Sequence, residues 1–122
     1  MSPAGEAGGD DVGQVAELLA NPYAREILVR TAREPLSADE LADRCVASRT
    51  TVYRQLERLQ AADLVVGTVQ IDPEGHHFDR YRASLDRVTV NLDMDGLHVT
   101  VDRTEPANDA VDRLEGLFDR LR

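Results

Sequence analysis

Lysine is absent from this chain of 122 residues, cysteine occurs once, and no apolar run approaches the ~20 residues a membrane-spanning helix requires. The single cysteine, Cys45, rules out an internal disulfide and any metal site built on several thiolates. Without an apolar run or a leader-like N-terminus, the expectation is a soluble, cytoplasmic protein with no membrane contact. There is also no internal repeat, phosphate-binding loop, nucleophile motif or metal-ligand spacing, so the chain offers no ground for an enzyme, a cofactor or a metal. Length sets a further bound: 122 residues bury one core and are too few for two.

Against the missing lysine stand 14 arginines, 14 aspartates and 9 glutamates, a net charge of −9. A GC-rich genome would favour arginine over lysine by codon usage alone. The aspartate excess combined with the missing lysine matches proteins that work in molar salt. There the Debye length falls to ~3 Å, self-repulsion among surface carboxylates is screened, and high charge keeps the protein soluble. The alternative is an ordinary acidic protein. The charge is unevenly placed. Between Arg44 and Arg58 there are four arginines and one glutamate, a local +3, and His76 to Arg82 holds two arginines, two histidines and one aspartate. Acid concentrates elsewhere, in the N-terminal tail and the C-terminal third. A basic stripe on an acidic body is a directional electrostatic footprint.

Residues 1–11 are small, polar and Gly-rich and are expected to be an unstructured tail. Val15, Ala16, Leu18 and Leu19 predict a first helix at about 12–20. Asn21 can cap a second helix whose first position suits Pro22. That helix, about 22–33, would turn Tyr23, Ile27, Leu28 and Thr31 or Ala32 inward before Pro35 stops it. The stretch from Ser37 to Leu64 then reads as two short helices joined by a tight turn. Ser37 and Glu40 form a reciprocal capping pair, and Leu41, Ala42 and Cys45 make one small inward stripe. Ser48 caps the next helix, in which Val52, Leu56 and Leu59 face inward. At 100° per residue, Thr50, Thr51, Arg54 and Arg58 lie roughly opposite. One face is core and the other cationic and hydroxylated, the layout of a helix-turn-helix whose second helix enters a DNA major groove.

Leu64 to Ile71 is rich in β-branched residues, Asp72-Pro73-Glu74-Gly75 suits a type I turn, and residues 77–83 return as a second strand. Tyr81 and Ala83 share one face of that strand and Arg80 and Arg82 the other. A hairpin directly after the second helix of a helix-turn-helix is a wing. A second hairpin follows. Val88, Val90 and Leu92 alternate on one strand, Leu97, Val99 and Val101 on the next, and Asp95-Gly96 marks the turn. Each strand has one apolar face, so this hairpin is expected to pack on something. Thr104-Glu105-Pro106 opens a last helix in which Val111, Leu114, Phe118 and Leu121 form a two-heptad seam. Such a helix is marginal alone and must fold back or pair with its twin. Two-fold DNA sites favour the pairing.

With these motifs in place the chain resembles winged helix-turn-helix transcriptional regulators of the ArsR-like group, especially short ones of halophilic archaea, including regulators of the response to reactive oxygen species. NPYAREIL resembles that group's second helix, SADELADR its third, and SRTTVYRQLERLQAADLV its recognition helix and wing entry, so the likeness covers residues 12–83. The position of Asp63 is often glycine in that group, which predicts a less sharp helix end here. The paired-cysteine motif of the metal-sensing members is missing. The expected architecture is α+β: a winged helix-turn-helix at 12–83, an additional β-hairpin at 84–103 and a C-terminal dimerisation helix at 104–122.

The expected function is sequence-specific binding of double-stranded DNA by a homodimer that regulates transcription in high salt. Arg49, Thr50 and Thr51 sit near the helix start, where side chains reach base edges, and Arg54 continues that stripe. Arg58 is placed to meet a phosphate. Ser48 and the amides beside it can hold another. Tyr53 borders the core face, either as packing or as a phosphate ligand. Arg80 and Arg82 would touch phosphate or minor groove, or serve only to keep an edge strand soluble. His76 and His77 lie at the wing tip and, as strand neighbours facing opposite ways, make a poor chelating pair. Cys45 reads as a small buried hydrophobe rather than a redox switch. Salt cations are expected at the DNA interface, between carboxylates and phosphates. Two rivals stand beside this reading: a winged-helix protein-interaction module of a transcription or replication assembly, and a ligand sensor using the second hairpin. The aliphatic inward residues of that hairpin favour packing over a pocket.

Overall fold

The computed structural model describes residues 6–7 and 9–104. In chain order these form β1 (Glu6–Ala7), α1 (Gly9–Ala20), α2 (Pro22–Arg33), β2 (Leu36–Ser37), α3 (Ala38–Cys45), α4 (Arg49–Ala61), β3 (Val65–Ile71), β4 (His77–Ala83), β5 (Leu85–Asp93) and β6 (Gly96–Arg103). Two antiparallel three-stranded sheets result, in the orders β1-β6-β5 and β2-β4-β3. The helices pack between them around Ile27, Leu36, Leu41, Val52, Leu56, Leu59 and Leu64, all at most 1% exposed. No helix among the described residues is long and apolar enough to cross a membrane.

The helix starts follow their side chains. Asn21 Oδ1 accepts the N–H of Tyr23 and of Ala24, and Pro22 takes the first helical position. Ser37 and Glu40 exchange bonds reciprocally, Ser37 Oγ accepting the Glu40 N–H and Glu40 Oε1 the Ser37 N–H. That backbone bond is the main reason the Glu40 carboxyl titrates below its ordinary range. The end of α4 departs from expectation. Asp63 occupies the left-handed region at φ 57°, its N–H reaches the Gln60 carbonyl, and the Leu64 N–H reaches the Leu59 carbonyl at 2.9 Å. This is a complete Schellman closure, with Leu59 and Leu64 both fully buried as its hydrophobic contact. The end is sharp because aspartate tolerates the left-handed region that glycine fills elsewhere.

Two further expectations are corrected, and a third holds in part. Glu6 and Ala7, assigned to an unstructured tail, form β1 and pair with Thr100 and Val99, and α1 starts at Gly9. Tyr23 is 42% exposed, and Ala24 takes the inward place, completing the stripe Ala24, Ile27, Leu28 and Thr31 at steps of three, one and three. The second hairpin does place its valines and leucines on one face, but only the base of that face is covered, at Val88, Val99 and Val101. The C-terminal helix and its seam, Val111, Leu114, Phe118 and Leu121, lie outside the described residues.

The wing turn closes as its residues require. The Gly75 N–H reaches the Asp72 carbonyl at 2.8 Å, Asp72 Oδ1 takes the Glu74 N–H, and Gly75 stands at φ 90°, a conformation that needs glycine. Lower in the wing, Gly67 faces Tyr81 across the ladder, where a Cβ would come within 3.1 Å of the tyrosine ring. The bare backbone there lets Tyr81 lie flat and bury to 6% exposure.

Candidate nucleic-acid interface

Ser48 starts α4 by accepting the Thr51 N–H at 3.1 Å, while its hydroxyl donates to Thr51 Oγ1 at 3.0 Å. The N–H groups of Arg49 and Thr50 are left without intrahelical partners, as helix geometry dictates at a first turn, and they point out of the positive end of the helix. Val52, Gln55, Leu56 and Leu59 are buried, so Thr50, Tyr53, Arg54 and Arg58 are turned outward and exposed. Thr51 is half-buried with its hydroxyl engaged in the cap, which makes it more a part of the helix start than of the outward stripe.

The four arginines of the basic stripe divide into two pairs. Arg44 bonds to Glu34 beyond the end of α2, and Arg49 Nε stands 3.0 Å from Asp39 Oδ1 on α3. No carboxylate among the described residues pairs with Arg54 or Arg58. Counting along the sequence therefore overstates the free positive charge at the start of the helix and locates it correctly further along. Both ion pairs are exposed and worth about 0–1 kcal/mol each, little enough for a phosphate to exchange with them.

The wing stands beside this helix. Val66 pairs with Arg82 and Thr68 with Arg80, which places both arginines on the face away from the buried Tyr81. Arg80 is exposed and its guanidinium lies 5.6 Å from the centroid of the Phe78 ring, a cation–π contact that holds the side chain out along the strand. Arg82 is half-buried. Between wing and helix runs a cleft of about 280 Å³ lined by the start of α3 with Asp39, by Tyr53, and by His77, Phe78, Asp79 and Tyr81 of β4. Tyr53 is 53% exposed and reaches into this cleft rather than into the core, which places its hydroxyl at the surface. Burial, followed by the neighbouring Asp79 carboxylate, raises the pKa of Tyr81.

His76 lies in the wing turn and His77 begins β4. His76 leans toward Asp72, Nδ1 to Oδ2 3.9 Å, and the ligand atoms of Asp72, Glu74 and His76 fall within 4.8 Å of one another. Glu74 and His76 are exposed and Asp72 is already committed to the turn, an arrangement common on acidic surfaces without any ion. Cys45 is half-buried, and desolvation, reinforced by the charge of Glu26, raises its thiol pKa, the opposite of an activated thiolate.

Sequence reasoning missed Asp39, Phe78 and Asp79 as members of this surface, and it missed Gln55. Gln55 is 4% exposed, and its Oε1 accepts no hydrogen bond from the described residues. Its signal was available: it completes the spacing of Val52, Leu56 and Leu59 on the inward face.

Helix start, outward arginines and an adjoining wing can be compared with known proteins as one unit. Residues 19–68 match a family model described as a helix-turn-helix domain. Among solved structures the chain is similar to an ArsR-like transcriptional regulator from Rhodococcus sp. RHA1, 24% identical over 91% of this chain and 83% of that one, with a TM-score of 0.52. It is similar also to NolR from Sinorhizobium fredii, 22% identical over 70% of this chain and 84% of that one, with a TM-score of 0.53. The fold is a winged helix-turn-helix. At these identities the likeness is one of architecture, and no curated protein sequence matches the chain. Within the winged helix-turn-helix, α3 and α4 are the paired helices, α4 being the second of the pair, and β3–β4 is the wing.

Proposed function

We propose that this chain is a sequence-specific DNA-binding regulator of transcription that acts as a homodimer on a two-fold operator in concentrated salt. The observation that carries the reading is the outward face of α4: Arg54 and Arg58 are exposed and without a carboxylate partner among the described residues, on a Ser48-capped helix flanked by a wing that presents Arg80. Arg49 and Thr50 meet base edges near the helix start, Arg54 reads a base further along, and Arg58 meets a phosphate. Ser48 with the first amides, Tyr53 through its hydroxyl, and the wing's His76, His77, Arg80 and Arg82 hold the backbone on either side. The winged neighbours named above are themselves a transcriptional regulator and NolR, in keeping with this reading. The seam Val111, Leu114, Phe118 and Leu121 supplies the two-fold contact.

The salt dependence follows from charge. A dimer carries twice −9 and approaches a polyanion. The cleft beside the recognition helix also holds Asp39 and Asp79, which would face phosphates across the interface. Salt cations between these carboxylates and the DNA offset the counterions that the arginines release, so affinity falls with salt much less than the number of phosphate contacts implies. An oxidative signal, as in the regulators of reactive-oxygen responses that the sequence resembles, would act here without an activated Cys45 thiolate.

The test is a mobility shift with genomic fragments in molar KCl. Specific complexes that are lost with Arg49→Ala combined with Arg54→Ala support the reading. Specific binding that survives both substitutions removes α4 from the groove. No specific fragment at any salt concentration would leave the protein-interaction module as the better account.

A further inference from the structure

Beyond its covered base, the β5–β6 hairpin carries an open apolar strip. Val90 pairs with Val99 and Leu92 with Leu97, and the four side chains share one face with Val88 and Val101. Val99 and Val101 are 3% and 4% exposed because α1 and its Val15 and Leu18 close the base of that face. Past that cover, Val90 is 58% exposed, Leu92 79%, Leu97 51%, and Met94 in the turn is fully exposed. A contiguous strip of large aliphatic side chains on a chain of charge −9 marks a protein contact.

We propose that a second copy of this chain covers the strip, seating its Val111, Leu114, Phe118 and Leu121 seam on Val90, Leu92 and Leu97. The inference rests on the homodimer reading and adds to it the surface that receives the seam. Length supports it. If helical, as its spacing predicts, the seam from Val111 to Leu121 spans ~15 Å, and the open face from Val90 through Leu92 to the turn at Met94 spans ~13 Å. The path of the chain selects a second copy over the same one. Thr104, the last described residue, donates its N–H to Ser84 at the base of the hairpin, the end remote from the strip. The direct line from there to Leu92 and Leu97 runs over the part of the face that α1 already fills. A second molecule meets no such obstacle.

The experiment uses the full chain in molar KCl. Sedimentation velocity of the unmodified protein is expected to show a dimer. Leu92→Asp with Leu97→Asp, both at exposed positions, should leave the far-UV circular dichroism unchanged and weaken association roughly tenfold or more. In a Cys45→Ser background, Leu97→Cys with Phe118→Cys should oxidise to a disulfide-linked dimer. A double-aspartate variant that associates as tightly as the unmodified dimer overturns the strip as the receiving surface and leaves the homodimer standing. A disulfide that closes within one chain overturns the second copy in favour of the same chain. An unmodified protein that sediments as a monomer removes the homodimer reading itself.

Discussion

The two hairpins are anchored alike and finished differently. Each sends its base into the core, Val65 and Tyr81 from β3–β4 and Val99 and Val101 from β5–β6. Further out, the wing's face away from the core pairs Val66 with Arg82, Thr68 with Arg80 and Gln70 with Phe78, while the core-side face of the second hairpin runs on past Val99 to Val90 and to Leu92 paired with Leu97. An antiparallel ladder of seven to nine residues per strand thus serves two partners, and cross-strand chemistry decides which. A guanidinium held out by an aromatic ring, as Arg80 is by Phe78, suits a polyanion. Aliphatic side chains left uncovered, as Val90, Leu92 and Leu97 are, suit another protein surface.

The largest test of this contrast lies at the bases, where it should vanish. Tyr81→Ala is expected to cost about 3 kcal/mol and Val101→Ala about 2 kcal/mol, because both remove side chains from one core. Urea unfolding followed by circular dichroism should show a single transition for each variant. A hairpin that melts by itself would break the comparison at its root. Next in size, Arg54→Ala should lose ~1–3 kcal/mol of discrimination between operator and unrelated DNA, with sedimentation and Tm unchanged. A change in association instead would mean that the charged and apolar halves are not separable. Arg80→Ala on the wing should weaken binding to all sequences alike and lower the salt slope by about 1, which a filter-binding titration reads directly.

The smallest effect concerns how the second hairpin holds its tip. Asp93 Oδ1 accepts the N–H of Asp95 and of Gly96 and meets His98 Nε2 at 3.1 Å. The Asp95 N–H bond above all, then the bond to His98, lowers its pKa from 3.8. A carboxyl whose folded pKa is lowered stabilises the fold above its unfolded pKa, and that contribution fades as pH drops through the lower folded value. Asp93→Asn should therefore reduce Tm slightly at neutral pH, and the difference from the unmodified protein should close in acid below pH 3.8. A gap that stays constant across pH would mean that the charge on Asp93 plays no part.

Much of the recognition unit was legible because its signals are local. Asn21, Ser37 and Ser48 cap the helices the sequence assigns to them, and the alternation of residues 77–83 places Tyr81 inside and Arg80 outside, as the structure does. The misses are nonlocal. Arg44 and Arg49 looked free because Glu34 and Asp39, which pair with them, lie ten residues earlier, one just past the end of α2 and the other on α3. Glu6 and Ala7 carry no strand signal of their own and become a strand only because β6 offers them an edge. Alternation at Val90, Leu92 and Leu97 showed that those side chains share a face, and it could not show where the cover of α1 stops.

At the far end of the recognition helix, Arg103 donates to the carbonyls of Ala62 and Asp63 at 3.0 and 2.8 Å, and Ser84 Oγ donates to the Asp63 carbonyl at 2.9 Å. The guanidinium places positive charge against the negative end of the α4 dipole. Mechanically it is a rivet between the last residue of β6 and the last turn of α4. A load applied where the chain leaves β6 passes through these bonds to the end of α4. The orientation of α4 is in this way tied to whatever holds the strand that ends at Arg103.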